Sequence, residues 1–187
     1  MRIIAGEYKG CSIKSLDGNS TRPTTDYFRE VIFSTLFDVE NLSVLDLYSG
    51  SGALALEAIS RGASHATLVD GSESAVKTIL SNVEKLKCRD KVLVQKIKSE
   101  TFVKKTDRKF DLILIDPPYS KNCINPILEL IFENDLLNPD GTIVVEHSNI
   151  EPIEDRFKKY ISKEKKRGIT VISFLEPDSL EEKDENI

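Results

Sequence analysis

From residue 43 to residue 147 the chain repeats one pattern: a short apolar run, a turn, then apolar residues at helical spacing. Residues 43–48 (SVLDLY) read as a strand and 53–61 as its helix; 66–70 (ATLVD) and 74–87 repeat the pair. Residues 92–97 supply a third strand. A fourth, 110–116 (FDLILID), is followed by a helix at 125–134, and a fifth, 142–147 (TIVVEH), follows a turn at 138–141. Strands that alternate with helices pair in parallel, because a crossover of helical length is needed to return the chain to the same edge. A run apolar at successive positions, such as FDLILI, belongs inside such a sheet with both faces covered. After a helix at 152–160, residues 161–165 and 168–175 read as a closing hairpin. The expectation is an α/β, Rossmann-like fold: a mostly parallel seven-stranded sheet with helices on both faces.

Ahead of that core, residues 1–14 alternate weakly around Gly6 and Gly10 and read as a small hairpin extension. Residues 17–23 (DGNSTRP) are a polar, turn-rich loop, and the segment 17–25 is expected to be mobile until it meets a ligand. Residues 25–37 place Phe28, Val31, Ile32, Leu36 and Phe37 at helical spacing, with Thr24 or Thr25 as the N-cap. A chain of 187 residues suits a single domain over 1–175, with 1–40 preceding a core at 41–175 and an acidic tail at 176–187. Cys11, Cys88 and Cys123 stand far apart without a CxxC, which argues against a disulfide framework or a cysteine-built zinc site. With no secretory leader and no membrane-length apolar run, the expected compartment is cytoplasmic. His65 and His147 have no second ligand at metal spacing, and no metal is expected. The net charge is −5, and the tail from Glu176 onward carries all of it, so the preceding body is neutral overall. Within that body, residues 156–168 (RFKKYISKEKKRG) are strongly basic, and Lys96, Lys98, Lys104, Lys105, Arg108 and Lys109 form a second run. Local clusters of this kind matter more for binding than the total.

The first strand ends in Asp46-Leu47-Tyr48-Ser49-Gly50-Ser51-Gly52, and a helix opens at Ala53. Glycines there let backbone N–H groups approach a ligand at the positive end of a helix. Two cofactor classes use this geometry. Residues 50–55 satisfy a GxGxxA dinucleotide fingerprint, with Asp70 placed near where a ribose-binding acid belongs. Asp46, an acid inside an apolar strand, separates the two: a pyrophosphate would be repelled there, whereas the ammonium of S-adenosylmethionine would be welcomed. The D-x-x-x-G-x-G pattern resembles the first motif of class I methyltransferases, so Asp46, Tyr48, Gly50 and Gly52 are read as cofactor-binding and Asp70 as the acceptor for the ribose hydroxyls.

The fourth strand stops at Asp116-Pro117-Pro118-Tyr119, since two prolines cannot continue a parallel ladder. Asp116 and the Pro117 carbonyl would offer two acceptors to one amine, beside the face of Tyr119. That arrangement suits the exocyclic amine of a planar base. The tetrapeptide resembles the [N/D]-P-P-[Y/F] motif of amino-methyltransferases, and Asp116, Pro117, Pro118 and Tyr119 are the candidate catalytic residues.

The ends of the chain narrow the substrate. Arg2-Ile3-Ile4-Ala5-Gly6 with Lys9-Gly10, then Arg22-Pro23-Thr24-Thr25-Asp26, Arg29-Glu30 and Phe33, together with DLYSGSGALALEAISRGA and DPPY, resemble the bacterial 16S ribosomal RNA guanine-N2 methyltransferases of the small subunit over about residues 1–175. The resemblance implies S-adenosylmethionine as cofactor and methylation of a guanine N2 in small-subunit ribosomal RNA, free or within an assembling 30S particle, by a monomer. It implies RNA contacts at Arg2, Lys9, Arg22 and Arg29 and at the Gly6/Gly10 hairpin. The basic run adds Lys165, Lys166 and Arg167. Tyr27, Lys98 and Arg167 depart from the family pattern, which usually has a basic residue, an Asp or Asn, and a tyrosine at those places. An N6-adenine methyltransferase using the same tetrapeptide, or a non-catalytic RNA-binding protein on the same fold, are the alternatives. Glu146, at the end of the fifth strand, reads equally as crevice-lining or as surface.

Overall fold

The computed structural model describes residues 1–16, 23–36, 38–118 and 122–177, with the backbone alone for 23–25. Arg22, Phe37, Tyr119, the start of the polar loop (17–22), the side chains of Thr24 and Thr25, and 178–187 of the tail lie outside the described residues.

Among the described residues, seven strands form one sheet: β1 (Ser43–Leu47), β2 (His65–Asp70), β3 (Val92–Lys96), β4 (Phe110–Ile115), β5 (Leu137–Ser148), β6 (Ile161–Arg167) and β7 (Thr170–Leu175). Their order is β3-β2-β1-β4-β5-β7-β6. The first five are parallel, and β7 enters antiparallel between β5 and β6. The order reverses between β1 and β4. At such a switch point the two crossovers leave in opposite directions and open a crevice beyond the strands' carboxyl ends.

The helices are α1 (Pro23–Thr35), α2 (Ala53–Ser60), α3 (Glu73–Leu86), α4 (Ser99–Val103), α5 (Ile124–Glu133) and α6 (Asp155–Lys158). Proline suits the first turn of α1, where its missing N–H has no intrahelical partner to lose, so the helix begins two residues before the expected start. Side chains alternate along a strand, so register sorts them by face. Val44, Leu68, Leu112, Leu114 and Val144 pack with α1, α2, α3 and the N-terminal Ile3 and Ile13. Leu45, Leu47, Val69, Ile113, Ile115 and Val145 pack against α4, α5 and α6.

The N-terminal hairpin is real but short: Arg2 bridges Ser12, and Ile3 N–H donates to the Cys11 carbonyl at 3.0 Å. The expected turn at 138–141 is instead an irregularity inside β5, where Phe110 pairs Leu137 but Leu112 already pairs Thr142. Asp111 holds it in place, accepting from Ser43 N–H at 2.8 Å and from Asn138 Nδ2 at 2.7 Å. No helix among the described residues is long and apolar enough to cross a membrane.

Candidate active site

The chain leaves β1 through three left-handed residues, Tyr48 (φ 59), Gly50 (φ 56) and Gly52 (φ 79). For tyrosine this conformation costs about 1–2 kcal/mol, and it is held from the far side: Tyr48 N–H donates to Ser99 Oγ at 3.2 Å and its hydroxyl to Glu100 at 2.7 Å. A Cβ on Gly52 would stand 2.8 Å from Leu68, whereas one on Gly50 would meet nothing closer than 3.7 Å. Gly52 is therefore required by strand–helix packing, whereas a side chain at Gly50 would make only ordinary contact with Leu16, so it is the left-handed backbone that favours glycine there.

Asp46 is 1% exposed. Its carboxylate accepts the Ala55 N–H at the start of α2, at 3.3 Å. Burial, against that hydrogen bond and with Asp70 nearby, pushes its pKa up to about 7. A buried carboxyl this under-compensated fits a cationic ligand group. Asp70 caps the same turn, with one oxygen taking Gly50 N–H at 2.9 Å and the other Ser72 N–H at 2.8 Å; second lone pairs remain on both oxygens for a diol.

Asp116 follows directly on β4. Enclosure by protein, then the carboxylates of Glu146 and Asp46, push its pKa well above the ordinary carboxylate value. The residue as a whole remains open to water, so the like charges carry that direction. Pro117 is buried and Pro118 exposed. Asp46, Asp70, Asp116 and Glu146 all fall on the α2/α3 face of the sheet by strand register, at or near its carboxyl edge. The fold thus joins three of the expected site elements and adds Glu146, which sequence reading left undecided.

The expected RNA-contact residues are dispersed. Arg2 and Lys9 are exposed on the hairpin. Arg29 is a correction: it is 3% exposed, and its guanidinium donates to the Arg2 carbonyl at 2.6 Å and to Asp26 at 2.9 Å. It ties α1 to the hairpin instead of facing solvent. Gly6 is exposed but abuts α2, since a Cβ there would overlap the Ser60 carbonyl at 1.7 Å; Gly10 has open space. Lys165 pairs Ile172, and Ile172 pairs Glu146, so Lys165 shares the crevice face. Lys166 pairs Val171 and points to the opposite face; it lies 3.0 Å from Glu164. Arg167 stacks over the Tyr27 ring at 4.2 Å, joining the β6–β7 turn to α1. These are two of the three positions that depart from the family pattern. Lys98, the third, is exposed at the start of α4.

Two residues that sequence reading passed over hold this assembly. Glu57, fully buried on α2, accepts from Ile4 N–H at 2.8 Å, Ala5 N–H at 3.0 Å and Arg61 Nε at 2.8 Å. Asn82, also fully buried, bonds the Lys14 backbone and the Ser51 carbonyl and so links the N-terminal segment to the glycine turn. A polar residue on the apolar stripe of a helix was the available signal for both.

A cavity of about 580 Å³ lies elsewhere, at the amino edge of the sheet, lined by Thr35, Asp111, Gly141 and Lys163 among others. None of the motif residues lines it, and Asp111 there is already hydrogen-bonded. The carboxyl-edge crevice is the candidate site.

A family model described as conserved hypothetical protein 95 matches residues 1–176. The chain belongs to that family. YlbH of Bacillus subtilis (strain 168) is 40% identical over 153 residues, covering 79% of this chain and 82% of its own length. Ribosomal RNA small subunit methyltransferase D of Haemophilus influenzae is 31% identical over 173 residues, covering 90% of both. The solved structure of YhhF from Escherichia coli has a TM-score of 0.83 and 26% identity, over 94% of this chain and 97% of that one. The family's fold is that of S-adenosylmethionine-dependent methyltransferases, and S-adenosylmethionine is the cofactor. Asp46 and Asp70 fit it.

Proposed function

We propose that this chain transfers the methyl group of S-adenosylmethionine to the exocyclic N2 of a guanine in 16S ribosomal RNA. The observation that carries the reading is the convergence of Asp46 and Asp70, beside the glycine turn, with Asp116 on one face and one edge of the sheet. The name of the Haemophilus influenzae relative, a ribosomal RNA small subunit methyltransferase, supports the substrate class.

S-adenosylmethionine supplies an electrophilic methyl group on a sulfonium. Asp46 meets the ammonium of the bound cofactor and Asp70 its ribose hydroxyls. Asp116 and the Pro117 carbonyl accept the two N–H bonds of the target amine, while Tyr119 stacks on the base. Holding both hydrogens turns the nitrogen lone pair out of conjugation and aims it along the transfer line, so most of the acceleration is orientation. The base must leave its own stack to reach the crevice. As the new C–N bond forms and the methyl–sulfur bond breaks to leave a neutral thioether, the positive charge that passes to nitrogen makes its N–H acidic, and Asp116 would take the proton. Its raised pKa makes it a better acceptor than an ordinary carboxylate. Arg2, Lys9, Lys165 and Arg167 supply positive charge for the RNA, and the protein works as a monomer in the cytoplasm.

The test is a strain lacking this protein, whose 16S ribosomal RNA is digested and mapped for a missing N2-methylguanosine. Purified protein with cofactor should restore the modification in vitro. Asp116→Ala should lower the rate by orders of magnitude with cofactor affinity nearly unchanged by calorimetry, and Asp116→Asn should be milder, because its amide oxygen still accepts. An unchanged nucleoside profile in the strain would overturn the reading.

A further inference from the structure

The last paired residues of β4 and β5 are Ile115 and Val145. Asp116 and Glu146 therefore stand next to one another, one residue further along two parallel strands about 4.8 Å apart. Both belong to the crevice face by alternation, and among the charges acting on Asp116 that of Glu146 is the largest. Two carboxylates side by side repel unless what lies between them brings hydrogen-bond donors. Purines differ in what they offer. On its pairing edge guanine presents two adjacent donors, the N2 amine and N1–H. Adenine presents one amine beside N1, a bare acceptor. Against a second carboxylate the first edge gains a charge-assisted hydrogen bond, and the second meets lone pair against lone pair.

We propose that Glu146 is the residue that selects guanine, accepting N1–H while Asp116 accepts the amine. The proposal rests on the guanine-N2 reading above and deepens it: the tetrapeptide orients an amine, and its neighbour on β5 decides which ring carries that amine.

The discriminating probe is 2-aminopurine, which keeps the amine on C2 but has an acceptor at N1. Two 16S ribosomal RNAs are assembled by ligation, one with guanine at the mapped target and one with 2-aminopurine there, and methyl transfer is measured with wild-type protein and with Glu146→Gln, Glu146→Ala and Glu146→Asp. Wild-type protein should prefer the guanine RNA by about 100-fold in kcat/KM, the size expected when a site's polar group is left facing the wrong partner. Glu146→Gln can turn its amide to donate to N1, so it should gain on the 2-aminopurine RNA and narrow the preference to about 10-fold or less. In that narrowing, reactivity differences between the two amines cancel, because the ratio for one protein is divided by the ratio for the other. Glu146→Ala should lose about 100-fold on guanine while cofactor affinity stays within about two-fold. Glu146→Asp should keep the wild-type preference at a lower rate. Wild-type protein that methylates both RNAs alike overturns the proposal. So does a Glu146→Gln protein that binds cofactor and does not gain on 2-aminopurine. Absence of any N2-methylguanosine with wild-type protein would overturn the functional reading as well, which separates the two failures.

Discussion

A carboxyl group pushed up to about 7 by burial writes a pH dependence into the cofactor-free protein. The folded state holds the Asp46 proton more tightly than the unfolded chain, whose ordinary value is 3.8. Its contribution to stability is therefore full below about pH 4, declines as pH rises, and is lost above about 7, at up to about 1.4 kcal/mol per unit. Asp46→Asn removes the charge and keeps an oxygen for the Ala55 N–H. The variant should melt at the same temperature as wild type at pH 4 and at a higher one at pH 8, while binding S-adenosylmethionine about 2–3 kcal/mol more weakly. Thermal unfolding across pH, with and without cofactor, checks both; an Asp46→Asn protein less stable than wild type at pH 8 would refute the assignment. Asp46 was legible in the sequence because it interrupts an apolar run, and an acid there needs a reason. Glu146 was not, since an acid at a strand end is ordinary until register sets it beside Asp116. Arg29 misled in the other direction: the family resemblance set it against RNA, and only the fold reveals that it is buried and held by the Arg2 carbonyl and Asp26.

At the scale of elements, the N-terminal hairpin is a buttress for the helix that follows the glycine turn. Glu57 and Ser60 on α2 gather its backbone: Tyr8 N–H donates to Ser60 Oγ at 2.9 Å and Glu7 N–H to the Ser60 carbonyl at 2.7 Å. Gly6→Ala forces a Cβ into that carbonyl in a left-handed backbone (φ +81) and should cost about 3 kcal/mol or more. Gly10→Ala, with a similar φ of +82 but open surroundings, should cost only about 1 kcal/mol. Denaturant titration of both variants is the measurement, and equal losses would mean that the hairpin does not dock as described. The sequence patterns located the seven strands and all but one of the α-helices among the described residues, because most of them bury a face; β6, exposed along nearly its whole length, was legible as the partner of the apolar β7 segment in a closing hairpin. The remaining helix, α4, spans five residues whose apolar side chains, Phe102 and Val103, are adjacent in sequence, so no helical spacing shows; the four residues of α6 were legible only within the longer expected segment 152–160. The irregularity in β5 was read as a turn because Asn138, Pro139, Asp140 and Gly141 carry turn chemistry. The hydrogen bond that Asn138 donates to Asp111, which ties the segment to the neighbouring strand, spans 27 residues in sequence.

For the whole molecule, the arrangement of charge matters more than its sum. A net charge of −5 coexists with an exposed basic edge strand, and the fold divides that strand by face. Lys165 lies across β7 from Glu146 on the crevice side, whereas Lys166 points the other way and pairs with Glu164. Sequence alone treats the two as one patch, because adjacent residues are inseparable until a strand assigns them to opposite sides. If RNA approaches the crevice, Lys165→Ala should weaken binding and reduce the slope of log affinity against log salt by roughly 0.7–0.9, the loss of one phosphate contact. Lys166→Ala should leave the slope at its wild-type value. Arg167→Ala should lose affinity and also loosen the β6–β7 turn, because its guanidinium rests on Tyr27; Tyr27→Ala should reproduce the loosening without the change in slope. Filter binding of 16S ribosomal RNA over a salt series, with each single variant, separates these outcomes. A slope reduced by Lys166→Ala and unmoved by Lys165→Ala would put the RNA on the α5 side of the sheet, away from Asp116, and would require a different path for the target base.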